Sequence, residues 1–374
     1  TNVFLTDPRL YGLRITKHFE QDSSNGGELD IFGSDTGKRP SLWLQIGGNF
    51  AWLSDKWQHY DPAFTALVPS SLPSPESVEK SPGAGFDWEG QLSYQPDNSD
   101  WVLKAGIRYG RSAVNKYTHK SLPPSETVAH LSGFFCTRLH LCTLTIPATF
   151  DKLVDARASA SEQHAILDFT LGKDVGVGLF GTDARGTIGA GLKVAEFDTR
   201  ASADLNSNPN WSVTGHNPFT LKIEHDIFDG TTDERRSFHG MGPEVTWDGS
   251  QPLLGSPENG EITVDWGFDA AVLFGRQRAN LHQKTSDRHV KAVLSGVSET
   301  TAYNTNDVSR SHNVTVPNLG GYVGASVRYS NAKISLGYRA DEFFNAMDGG
   351  QDTAKKYDRG FYGPYLNLSL GFGG

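Results

Sequence analysis

Residues 361–374 read FYGPYLNLSLGFGG. Leu366, Leu368, Leu370 and Phe372 fall on one face of an extended chain, and Tyr365, Asn367, Ser369 and Gly371 fall on the other. The period is two and one face is wholly apolar, which is the pattern of a strand rather than of a helix. A closing strand that is greasy on one side, small or polar on the other, and aromatic near its end suits a barrel that crosses a bilayer. Phe372 is followed by two glycines instead of ending the chain, a departure from the usual terminal aromatic.

The same alternation recurs upstream. In residues 41–53, Leu42, Leu44, Ile46, Phe50 and Trp52 oppose Trp43, Gln45, Gly47 and Asn49. Residues 86–94 and 101–109 form a hairpin pattern around QPDNSD (95–100), where Pro, Asp and Asn favour a turn. Further strands are expected at 164–172, 188–194, 238–247, 262–274, 319–329 and 334–338. Pro243 counts against the strand at 238–247, because proline cannot donate to a ladder. Residues 262–274 give the clearest pattern, with Ile262, Val264, Trp266, Phe268, Ala270, Val272 and Phe274 on one face. Residues 219–228 read as an extra strand or a projecting hairpin.

Connection lengths then set the topology. Short connections are expected at 95–100, 173–186, 249–260 and 330–332. Long polar ones are expected at 54–84, 112–160, 205–233, 276–313 and 345–359. Regular alternation of short and long is the asymmetry of a transmembrane barrel, with short periplasmic turns and long outer loops. The expected fold is therefore all-β: a closed antiparallel transmembrane β-barrel of ten strands over residues 41–374. Residues 1–40 form an N-terminal lead that is periplasmic, luminal or an extra strand pair. If residues 9–18 (RLYGLRITKH) add a pair, the count becomes twelve.

Bulk properties fit this reading. The chain has 374 residues, a net charge of −9 and 37% hydrophobic residues, with a mean hydropathy of −0.43. No apolar run reaches the roughly 18 residues of a membrane helix, whereas a barrel strand turns only every second residue to lipid. The 41 glycines and the 11% of aromatic residues suit twisted strands with interfacial girdles. The first residue is Thr1 rather than Met, from which a removed export signal is expected.

The faces opposite the apolar ones carry Asp87, Glu89, Lys104, Arg108, Asp168, Lys193, Glu244, Asp265, Asp269, Arg328, Lys333 and Arg339. Turned inward, these would line an aqueous or partly plugged lumen. Asp87 and Glu89 would lie on the strand next to Lys104 and Arg108, close enough for cross-strand ion pairs. The set either fills and stiffens the interior or forms a charged constriction that selects ions. Both signs are present, so weak charge selectivity is expected.

Cys136 and Cys142 lie close together in FFCTRLHLC, and in an exported protein such a pair is expected to form a disulfide. Only His140 stands between them, short of the four ligands of a zinc site, so no metal is expected. No cofactor is expected either. The glycine-rich residues 176–191 lack the Gly-Lys-Ser/Thr ending of a phosphate loop, and no Gly-x-Ser-x-Gly elbow or His-Glu-x-x-His occurs. No enzymatic role is expected. The acidic balance, with no basic stripe, argues against nucleic acid.

Three segments carry a family resemblance. Residues 164–199 (HAILDFTLGKDVGVGLFGTDARGTIGAGLKVAEFDT), residues 237–279 with their aromatic-x-Gly-x-Gly-Pro core, and the hairpin at 85–112 resemble units of the Legionella major-outer-membrane-protein-like family of pore-forming barrels. The resemblance covers about half of the chain and omits the long loops. Glu244 stands where that family usually has a basic residue after Gly-Pro, so charge selectivity does not carry over. The resemblance implies a bacterial outer-membrane location and a porin-like channel, and it supplies no catalytic residues. The expected partners are outer-membrane lipid, lipopolysaccharide and small polar solutes or ions, with a homo-oligomer or larger outer-membrane complex left open. The alternative is a structural or adhesion barrel that acts through its long loops.

Overall fold

Alternating apolar and polar residues give strands whose two faces need different surroundings, and the computed structural model closes them into one cylinder. It describes residues 42–53, 82–96, 99–119, 126–130, 143–147, 154–175, 185–214, 222–256, 258–293, 296–349 and 356–372. In chain order the strands are β1 (Leu42–Leu53), β2 (Gly85–Tyr94), β3 (Trp101–Ser112), β4 (Asn115–His119), β5 (Glu126–His130) and β6 (Thr143–Pro147). They continue with β7 (Val154–Asp174), β8 (Arg185–Thr214), β9 (Lys222–Ser256), β10 (Gly260–Val293), β11 (Gly296–Tyr329), β12 (Ala332–Asp348) and β13 (Lys356–Phe372).

The sheet runs β3-β2-β1-β13-β12-β11-β10-β9-β8-β7-β4, and β3 also pairs with β7. Along β7, Arg111 faces Gln163 and then Asn115 faces Ala160, so β4 continues β3 as a single stave. The wall thus has ten antiparallel staves and closes on itself, as expected from the sequence. Closure pairs each stave with a neighbour on both sides and leaves no free edge in lipid. The first and last staves join through Leu42↔Phe372 to Leu53↔Phe361. β5 and β6 form a separate hairpin.

The greasy faces point outward. Ile46, Ile107, Leu192, Val245, Phe274, Val323, Leu336 and Leu366 are each more than half exposed on the outer wall. The apolar run from Ile262 to Phe274 rises roughly 30 Å along the axis, once about 3.3 Å per residue is corrected for a tilt near 40°. That equals a bilayer's hydrocarbon thickness. Trp266 is on the same outer face although only 7% exposed, because its indole lies flat over Gly249, its register partner on β9.

Two expectations about the polar segments need correction. Residues 276–313 are expected from the sequence as a long polar connection, but β10 and β11 pair through them without a break from Gly275↔Val314 to Val293↔Gly296. Most of 205–233 is likewise strand, shared by β8 and β9, and residues 222–228 form the far part of β9 rather than an extra strand. Beyond the bilayer the outward face meets water and the buried inward face mixes Gln277, Gln283 and Thr285 with Ala279 and Leu281, so no apolar alternation marks the strand. Pro243 does sit inside β9, opposite Leu192 of β8. On its other side the β9–β10 ladder is interrupted between Glu244↔Ala271 and Met241↔Phe274, where a missing N–H costs no ladder bond. Residues 1–41 and both cysteines, Cys136 and Cys142, lie outside the described residues, and so do the expected lead and disulfide.

Candidate functional site: the barrel interior

Inward-pointing residues make three layers along the axis. The lowest, toward the short turns, is polar. Thr263 and Ser326 share a hydrogen bond of 2.6 Å, Ser326 donates to Asp265, and Lys333 pairs with Asp265 at 2.8 Å. Arg328 stacks over Trp43 at 5.3 Å. Lys104 reaches Asp248 at 2.6 Å, and the Tyr322 hydroxyl donates to the same carboxylate.

The next layer is ionised. Arg108 holds Asp341 at 2.5 Å and Arg339 holds Glu89 at 2.6 Å. Lys193 sits among three carboxylates: Glu244 at 2.9 Å, Asp168 at 3.8 Å and Asp269 in direct contact. It also donates to the Asn318 side-chain oxygen at 2.9 Å. These two layers enclose a cavity of about 310 Å3 lined by seven carboxylates and five cations, an excess of two negative charges.

All twelve residues expected to face inward do so, and every one except Asp87 and Arg328 borders this cavity. Their pairing differs from expectation. Glu89 and Arg108 are register partners on β2 and β3, yet each pairs across the lumen with β12 instead. Asp87 meets the imidazole of His164 on β7, Nε2 to Oδ1 being 3.3 Å, in space that Gly110 leaves open. In a cylinder of ten staves the bore is narrow enough for long side chains from distant walls to meet, and there they find opposite charges with little water in between. Asp248 and Asp341, the partners that complete these pairs, are absent from the sequence reading because one lies beside an expected turn and the other beyond the end of the strand expected at 334–338. The signal was present: the inward parity Lys333, Ser335, Gly337, Arg339 continues unbroken to Asp341 and Phe343.

The third layer is an apolar septum, which corresponds to the plugged rather than the aqueous of the two expected interiors. Phe197, Phe238, Phe343 and Phe361 have no exposed surface, and Ile166, Leu273, Val316 and Met347 surround them equally buried. Phe197 stacks on Phe238 at 5.7 Å and meets the edge of Phe343 at 4.8 Å. Gly240 and Gly275 form the patch of wall against the Phe238 ring, where a Cβ on either would lie within 2.7 Å of it. A bulge on β12 between Phe343 and Met347, with Asn345 at a φ of 56°, turns Ala346 and Met347 into the same layer. Above the septum, Arg359 and Glu162 pair at 2.9 Å with neither side chain exposed, and Thr199 bridges them.

Solved outer-membrane barrels overlay on most of the chain at very low identity. The transport unit of the autotransporter AIDA-I from Escherichia coli is 8% identical, with 92% of this chain and 94% of that one covered at a TM-score of 0.26. The translocator domain of NalP from Neisseria meningitidis is 11% identical, with 90% of each chain covered at a TM-score of 0.24. LpxR from Salmonella typhimurium is 11% identical, with 88% and 100% covered at a TM-score of 0.24. Likeness at this level carries no functional weight. No curated protein matches the chain. Residues 56–372 match the family described as the Legionella pneumophila major outer membrane protein precursor. The chain belongs to that family, and its place is the bacterial outer membrane.

Proposed function

We propose that this member of the Legionella major outer membrane protein family is a narrow channel for small ions and polar solutes, shut at rest by its phenylalanine septum. The observation that carries the reading is the stacking of a charged cavity directly against a thin apolar layer. The cavity offers solvated groups of both signs, Asp168 being 38% exposed, and its net negative lining favours cations modestly. The apolar layer supplies a barrier of a known physical kind, since hydrophobic constrictions gate by excluding water. The twelve inward residues named above are the proposed lining. No step requires a cofactor. Planar-bilayer recording in asymmetric salt tests the proposal: brief, small, weakly cation-selective openings support it, and a silent protein that stays silent when the septum is cut back overturns it.

A second reading rests on a different feature. Beyond Gly275, β10 continues for 18 residues, roughly 60 Å of strand at about 3.3 Å per residue, paired throughout with β11. Val297 and Tyr303 on this projection are 73% and 81% exposed. A blade of this kind suits adhesion to, or assembly with, a surface partner. Deleting residues 282–307 separates the two readings, because the channel reading leaves conductance in place and the adhesion reading loses cell attachment.

A further inference from the structure

Immediately above the lipid-facing band, the outer wall gathers positive charge on β8, β9 and β10. On β10, Phe274 is 60% exposed to lipid and the next two outward residues are Arg276 and Arg278. On β9, Met241 is 55% exposed and is followed outward by His239, then Ser237, then Arg235. His239 is the register partner of Arg276, and Arg235 is that of Arg200 on β8. Staves lie about 4.8 Å apart and successive outward residues about 6.8 Å apart, so these five groups share a patch roughly 15 Å across. Two carboxylates lie among them. Asp198, 2% exposed, is gripped by Arg235 and lies 3.8 Å from Arg200, and Glu196 lies 3.9 Å from His239. The patch therefore keeps a positive excess, concentrated at Arg276 and Arg278.

A shallow depression of about 570 Å3 joins the two kinds of surface. Its lower lip is Met241 and Phe274, and its upper lip is His239, Arg276 and Asn313. An occupant must place acyl chain against the lower lip and anionic oxygens against the upper one. We infer that this depression and the arginines above it bind the phosphorylated glucosamine headgroup of lipid A, the membrane anchor of lipopolysaccharide. Charge complementarity selects it. Arginine forks match phosphate oxygens, and basic clusters at the headgroup level hold anionic lipids. The height matches as well, because lipid A phosphates lie where the hydrocarbon ends. The site is independent of the channel reading.

The test uses the full-length barrel in detergent, with bound lipid counted by native mass spectrometry. Bisphosphorylated lipid A is compared with its dephosphorylated form and with phosphatidylethanolamine. The triple variant R235Q/R276Q/R278Q is expected to weaken retention of bisphosphorylated lipid A by at least about tenfold. The lysine variant R276K/R278K should keep most of it. Arg111→Gln, an outward arginine just above the band on β3, should leave it unchanged. Heat-modifiable gel migration establishes that each variant is folded. Retention unaffected by the triple variant, equal loss from Arg111→Gln, or equal binding of dephosphorylated lipid A would each overturn the assignment.

Discussion

The ring of Phe197 meets the ring of Phe361 across the full width of the barrel, with centroids 5.5 Å apart. Their strands, β8 and β13, are five staves apart in a wall of ten, the greatest separation this cylinder allows. Two aromatic side chains therefore span the bore at that height. If the septum is the gate, the double variant F197A/F361A should conduct steadily where the unaltered barrel opens rarely, as read by single-channel recording. Two equally silent proteins would sink the channel.

Lys193 is the shared cationic partner of three carboxylates at the floor of that septum. In the opened background, Lys193→Gln should move the reversal potential further toward that of the cation in asymmetric potassium chloride. Lys333→Gln should move it less, because Lys333 has one carboxylate partner. An unchanged potential would mean that ions bypass this layer.

Glu162 and Arg359 form an ion pair with no solvent contact. Removing one partner leaves a buried charge unmatched, at a cost of about 3–5 kcal/mol. Arg359→Met and Glu162→Gln should therefore each lower stability by that order in urea unfolding from lipid vesicles. The pair E162Q/R359M should recover part of the loss, and a double variant worse than the sum of the two would contradict the pairing.

The assignment of faces has its own check. Val264→Arg and Leu368→Arg place a cation in lipid and should each cost about 2–4 kcal/mol near the midplane. Ser369 points inward and exchanges one hydrogen bond with Gln45 at 3.2 Å, so Ser369→Ala should cost only about 1 kcal/mol. Equal tolerance at both sets would contradict the orientation.

The sequence by itself determined the strands that cross the bilayer, their two faces and the antiparallel closure, because lipid on one side and polar groups on the other force a period of two. Leu366, Leu368 and Leu370 declare that contrast without any partner. The upper halves of β8 to β11 meet water outside instead of lipid, and their buried inner face mixes Gln277 and Gln283 with Ala279 and Leu281, so nothing in their hydropathy marks them as strand. Only the tertiary structure decided what happens inside. Arg108 has its register neighbour Glu89 within reach, yet it pairs with Asp341 four staves away, and Phe238 becomes part of a dry plug because Gly240 and Gly275 clear the wall beside it. Inward side chains choose partners by the curvature and width of the closed cylinder, and no local stretch of chain carries either quantity.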